Sequence, residues 1–360
     1  MIKKRIFAIL MVFILAVSVL PGCSKSKGQP VSNETQQETT DDSLDLIDSE
    51  NAENTENTEK QTKEGVPSPI SGIYTDEANV IRRPFAVMLD NQSKARPQAG
   101  LDQAEMVFEI LAEGWITRYL AVFLINEPES IGPVRSARPY FIDKAMEFNA
   151  LYVHVGGSPQ AFSDIKAFKI ADIDAMSRDG SIFWRKKHKS APHNMYTDTK
   201  AIRKAASSSH YDDNIKFETL KFNDDHKKIN GLSMLSMEIP YYKDYKVSFK
   251  YDEGDNVYYR FINNKPHLDE ISKKHLSAVN MIVQKAETKV IDSEGRLEIE
   301  LVGQGEGLYA TNGEMRKIIW KKNNRKSITR YYYEDGTEIQ LNPGVTWIQV
   351  VPSNQEIITK

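Results

Sequence analysis

Hydrophobic and polar positions fall into three regimes along the chain. Residues 6–20 are apolar except for Ser18. Residues 24–65 hold no aromatic side chain and are mostly Asn, Thr, Gln, Ser, Glu and Asp. From residue 66 onward, short apolar runs alternate with polar turns, the pattern of a folded body. Within that body, residues 85–89 read as a buried strand, and 104–112 and 116–125 as two more with Gly114 as the turn between them. Residues 151–155 read as a further strand, ended by Gly156-Gly157. Partial helical spacing marks 139–149. Ser158 followed by Pro159 is an N-cap and first-turn pair for a helix to residue 168, and Asp198 caps a third helix through 206.

After residue 212 the pattern changes to short strands, over 246–251, 257–262, 279–285, 296–301, 318–320, 327–333 and 347–351. Turn signals such as Glu253-Gly254, Asn312-Gly313, Asp335-Gly336 and Asn342-Pro343-Gly344 separate them. The expected class is α+β. A mixed α/β amino-terminal domain (66–211) precedes a mostly-β domain (212–360) built as a small sandwich or barrel. A length of 360 residues suits two domains.

The first apolar run follows Lys3, Lys4 and Arg5. Its fifteen residues would reach about 22 Å as a helix, short of the ~30 Å hydrocarbon core, so it reads as the core of a signal peptide. Leu20-Pro21-Gly22-Cys23 resembles a bacterial lipobox, with Pro21 a departure from the commonest pattern. The resemblance implies cleavage of residues 1–22 and a fatty-acylated diacylglycerol thioether on Cys23. The expected location is therefore the extracytoplasmic face of the cell membrane, with the bilayer as a partner through that anchor. Cys23 is the sole cysteine, which excludes an internal disulfide framework and a cysteine-based zinc site.

The polar stretch carries eleven acidic and four basic side chains, so 23–65 is expected to be a disordered acidic tether of roughly 35 Å average span. The whole chain has a net charge of −3; taking away the signal's +3 and the tether's −7 leaves +1 for residues 66–360. With no basic face evident, nucleic-acid binding is not expected. Local clusters must carry any electrostatic recognition.

The densest cluster is Gly132-Pro133-Val134-Arg135-Ser136-Ala137-Arg138, ahead of a predicted helix. Guanidinium forks match carboxylate or phosphate oxygens in a bidentate manner, and a helix start favours an anion. Arg96, Arg118, Arg135 and Arg138 are thus candidate ligand-binding residues, joined by Asn91, His154, His193 and Asn194 as hydrogen-bonding groups. The competing reading pairs these arginines internally with Asp90, Glu109 and Glu113. Glu109 and Glu113 on one strand would stand about 13 Å apart, beyond the spacing of a glycosidase pair. Ser158 lacks a nucleophile elbow. His154, His193 and Asp90 could form a metal site only by converging, and no phosphate loop, dinucleotide fingerprint or zinc-helix motif occurs, so no metal or cofactor is expected.

In the second half, His267 is expected to be fixed by Asp269. The run from Lys321 to Lys326 reads as a solvated hairpin tip or, alternatively, as a contact for anionic wall polymer or lipid headgroups. Gly303-Gln304-Gly305-Glu306-Gly307 reads as a bulge or tight turn.

Many separated segments resemble the YerB family of bacterial lipoproteins. In the first half these include Pro84 to Asn91, Arg96-Pro97-Gln98, Glu109 to Arg118, Gly132 to Arg138, His154 to Ser158 and Pro192-His193-Asn194. In the second they include Tyr259-Arg260, Pro266-His267, Asp269, Gly303, Gly305, Gly313, Trp320 and Pro343-Gly344. The resemblance spans about residues 80–352 and implies a lipid-anchored envelope protein, with no reaction attached. Three functional readings follow. One is a non-catalytic protein that binds a polar or anionic cell-wall ligand or an envelope protein through its amino-terminal domain. Another is a wall hydrolase using Glu109, Glu113 or His154. The third is a structural module without a ligand.

Overall fold

A computed structural model describes residues 63–178 and 180–360. The signal, Cys23 and most of the acidic tether lie outside the described residues. At the tether's end, Lys63 lies 2.9 Å from Asp225 in an ion pair.

The first half supplies five strands to a central sheet: β1 (Phe85–Asp90), β2 (Met106–Leu111), β3 (Thr117–Phe123), β4 (Leu151–His154) and β5 (Asp172–Asp174). Every residue of β1, β2 and β3 is buried. Both faces of the sheet are covered, which explains why these strands read as unbroken apolar runs. Phe85, Val87 and Leu89 enter one core, while Ala86 and Met88 enter the other.

Three helices flank the strands: α1 (Pro139–Met146), α2 (Pro159–Phe168) and α3 (Thr199–Ser208). Ser158 Oγ accepts from the Ala161 amide at 3.2 Å and Asp198 Oδ1 from the Ala201 amide at 2.7 Å, so both expected caps form. Tyr140, Phe141 and Ile142 of α1 and Ala161 of α2 pack on one face; Ile202 and Ala205 of α3 pack on the other.

The second half is mostly β: β6 (Ser236–Tyr242), β7 (Tyr245–Asp252), β8 (Val257–Ile262), β9 (Asn280–Ala286), β10 (Gly303–Thr311), β11 (Glu314–Lys322), β12 (Arg330–Tyr333) and β13 (Thr346–Pro352). Strands β6, β7 and β8 form an antiparallel meander with three short partners. Their inner residues Met237, Ile239, Val247, Phe249 and Tyr258 join the core under β1 and β3. Strands β9, β10, β11 and β13 continue the central sheet in the order β11-β10-β9-β13-β2-β3-β1-β4-β5, and β12 pairs with β11 off this path. At the seam, β13 runs parallel to β2, with Gln349 opposite Glu109.

The glycine-rich stretch forms no bulge or turn; it is most of the nine-residue β10. A Cβ on Gly305 would sit 2.6 Å from Trp320 Nε1, and one on Gly307 would sit 2.3 Å from the Val283 carbonyl oxygen. The glycines let β10 lie directly under the Trp320 ring, so they mark close approach rather than a change of direction.

The run at 321–326 is likewise no free tip. Lys322 is buried and donates to Glu147 at 2.9 Å, as Lys144 does at 3.0 Å. Burial pulls Lys144 down to about 8, with Glu147 opposing it. Arg325 lies 2.7 Å from both Asp143 of α1 and Asp164 of α2. These bonds clamp the two helices to the β11–β12 connection.

Candidate ligand site

The candidate residues gather at one end of the sheet, where β1, β2 and β4 finish and β3 begins. Asp90 lies opposite Arg118 in register, so two candidate charges meet across β1 and β3. The loop at 131–138 crosses this end. Its Arg135 amide donates to the Met88 carbonyl, and its Arg135 carbonyl accepts from the Val155 amide, tying it to β1 and to the end of β4.

Three groupings result. Arg118 and Arg138 share the carboxylate of Glu113: Arg118 Nη2 lies 3.1 Å from Oε2, and Arg138 Nε donates to Oε1. Burial pushes the Glu113 carboxyl up, but the Arg138 hydrogen bond and the two guanidinium charges outweigh it and leave the group below the usual glutamate range. The buried Tyr140 hydroxyl nearby has no hydrogen-bond partner among the described residues.

In the next grouping Asp90 faces His193 and Arg135. His193 Nδ1 lies 2.7 Å from Oδ2. Arg135 Nε approaches the same oxygen at 3.4 Å and makes no hydrogen bond, although it is buried.

The last grouping surrounds Asn91. Its backbone carbonyl accepts from Arg96 Nε and Nη2 at 3.0 and 2.7 Å, and its side-chain oxygen accepts from Nε at 2.9 Å. The Arg96 guanidinium also stacks 4.6 Å from the Tyr245 ring centroid. No carboxylate pairs with Arg96 among the described residues. It lines a depression of about 510 Å³ with Lys94, His188, Lys189, Glu270 and Lys273.

Two candidates stand apart in role. His154 is fully buried, with Nδ1 2.9 Å from the Gly156 carbonyl and Nε2 3.2 Å from Asp172 Oδ2. Asn194 holds the 186–189 loop, donating to the Lys186 and Lys189 carbonyls at 3.1 and 3.0 Å while Oδ1 accepts from Arg185. Glu109 and Glu113 do not converge either. Glu113 serves Arg118 and Arg138, whereas Glu109 is sealed in the core.

There Glu109 Oε2 accepts from Arg260 Nη2 at 2.8 Å, and Oε1 accepts from Thr117 and Tyr245 at 2.7 and 2.5 Å. Arg260 also donates to His267 Nδ1, so Nε2–H of His267 donates to Gln98 Oε1 at 2.8 Å. Burial, then the charge of Arg260, drives His267 well below its ordinary pKa, which keeps it neutral. Asp269 does not fix His267; its carboxylate accepts from the backbone amides of Leu101, Ile271 and Ser272. Arg260 is the partner that sequence reasoning missed. It lies 151 residues from Glu109, and only the folded meander brings β8 over β2.

No group of three or more His, Cys, Asp or Glu side chains among the described residues is arranged to hold a metal ion. No helix among them is long and apolar enough to cross a membrane.

Comparison with known proteins agrees with this architecture. The family described as "Protein of unknown function (DUF3048) N-terminal domain" matches residues 70–212, and the corresponding C-terminal domain matches 237–348. The protein named "Putative lipoprotein YerB" from Bacillus subtilis (strain 168) is 35% identical over 305 residues, which are 81% of this chain and 90% of that protein. The crystal structure of YerB protein from Bacillus subtilis superposes with a TM-score of 0.75 at 33% identity, covering 82% of this chain and all of that one.

Proposed function

Because the chain belongs to the YerB family, we propose that it is held by a lipid on Cys23 at the outer face of the cell membrane. There it binds an anionic envelope ligand at the carboxyl ends of its amino-terminal strands, without converting it. The observation that carries this reading is Arg96. Its guanidinium is oriented by Asn91 and Tyr245, has no carboxylate to neutralise it, and opens into a basic depression. A fixed, uncompensated fork gives up little freedom on meeting a phosphate or carboxylate. Depressions of this size are ordinary for ligand sites, and the ends of sheet strands are where open α/β folds place them.

A hydrolytic role finds less support. Glu109 is committed to Arg260, Glu113 to two arginines, and both ring nitrogens of His154 face protein oxygens. The test is retention of radiolabelled wall fragments by the purified full-length protein and by the Arg96→Ala and Arg135→Ala/Arg138→Ala variants. At least tenfold weaker retention by both, with circular dichroism unchanged, is expected. Retention equal to wild type in both variants overturns the reading in favour of a structural module. Clearing of a wall zymogram that depends on Glu113 or His154 overturns it in favour of a hydrolase.

A further inference from the structure

The depression and the strand-end arginines are electrostatically continuous. Within the depression Lys94, Arg96, Lys189 and Lys273 converge, and Lys186 reaches the same Glu270 from one side. Among the described residues, Glu270 is the one carboxylate that lines the depression. It pairs with Lys186 at 3.3 Å and with Lys189, and it accepts from Tyr196 at 2.5 Å. Lys94 makes no ion pair among the described residues, and it and Lys273 are exposed. Lys189 donates to the Ala95 and Pro97 carbonyls on either side of Arg96, and Arg96 is bonded to Asn91, the residue after Asp90. Asp90 contacts Arg135 and stands opposite Arg118, which shares Glu113 with Arg138. The strip therefore holds eight cations against three carboxylates, and Asp172 and Asp174 beside Gly156 and His154 at the same strand ends bring the excess to three positive charges on a body whose net charge is +1.

A single small anion would neutralise one or two of these charges and leave the rest repelling one another. We infer that the ligand is a linear polymer of repeating phosphodiesters that threads the depression at Arg96 and continues along the strand ends past Arg135 and Arg138. This rests on the proposed anion-binding function and names its ligand class. Two sources offer phosphodiester oxyanions, a polymer chain and the headgroups of a bilayer. The recess favours the chain, because a flat lipid surface meets the exposed Lys94 and Lys273 but cannot follow a strand into the depression.

The test measures binding of the full-length protein to inorganic phosphate, to glycerol-phosphate oligomers of one, four and twelve repeats, and to phosphatidylglycerol vesicles. Affinity should rise at least tenfold from the single unit to the twelve-repeat oligomer, and the gain should shrink as salt rises. Lys94→Glu with Lys273→Glu changes two exposed side chains, of which Lys273 bonds the Glu270 carbonyl, so circular dichroism accompanies it; with the spectrum unchanged, this variant should lose at least tenfold toward the long oligomer. Length-independent affinity overturns the polymer inference while leaving anion binding in place, provided Arg96→Ala still weakens the single unit. Arg96→Ala without effect on any phosphate probe overturns the underlying function as well. Vesicles bound as tightly as the long oligomer would assign the strip to the bilayer and overturn the threading chain.

Discussion

The Glu109–Arg260 junction and the depression at Arg96 are built from the same residue types, and Asn91 and Tyr245 touch both Glu109 and Arg96. In the junction both charges are fully buried, each carboxylate oxygen has a donor, and the neighbouring His267 is neutral. In the depression the cations outnumber the carboxylates, and several reach solvent. An arginine by itself therefore says nothing about function. What separates the two regions is whether the opposite charge is already present inside the protein. A satisfied buried pair fixes geometry, because removing one partner strands the other, whereas an unsatisfied half-buried fork is poised for something from outside.

The sharpest way to break this contrast is Arg260→Met. It leaves the Glu109 carboxylate buried without its cation, and the expected loss is about 3–5 kcal/mol in urea unfolding. Adding Glu109→Gln should recover part of that loss. A cost under about 1 kcal/mol would show that the junction does not hold the two halves together.

A smaller effect should come from His267. Its folded pKa lies below the unfolded value near 6.5, so its contribution is present above that pH. The contribution is lost as pH falls, because only the unfolded chain takes up the proton. Stability should drop by up to about 1.4 kcal/mol per pH unit below 6.5 from this group, and His267→Gln should flatten that slope. Urea titrations at pH 7.5 and 5.5 of the two proteins check it; identical slopes would contradict the neutral, buried imidazole.

The smallest change in stability is expected on the open side. Lys94→Ala removes an exposed, unpaired cation and should alter unfolding free energy by no more than about 0.5 kcal/mol. A larger loss would mean that the lysine supports the fold rather than facing a ligand.

Much of the fold was legible because burial on both faces writes β1, β2 and β3 as continuous apolar runs, and because Ser158 and Asp198 carry their capping chemistry locally. The misread segments depend on distant partners. Gly303 to Gly307 looked like a turn because nothing nearby announces that Trp320 will cover Gly305. Lys322 and Arg325 looked solvated because Glu147, Asp143 and Asp164 lie far back in the sequence. At the candidate site, the cluster at 132–138 was visible as a dense motif, and Asp90 and Glu113 were visible as possible counter-charges. The unpaired state of Arg96 was not, since it follows from Glu109 being claimed by Arg260.

The parallel seam between β2 and β13 also constrains how the chain can be made. Met106 hydrogen-bonds alongside Thr346, so β2 has no neighbour on that side until almost the entire polypeptide has emerged. Until then, its bare backbone and its apolar side chains would invite pairing with other nascent chains. A product interrupted before residue 346 should therefore be a substrate for housekeeping proteases, and correct folding of this chain depends on keeping the early strands from pairing elsewhere until the late one arrives.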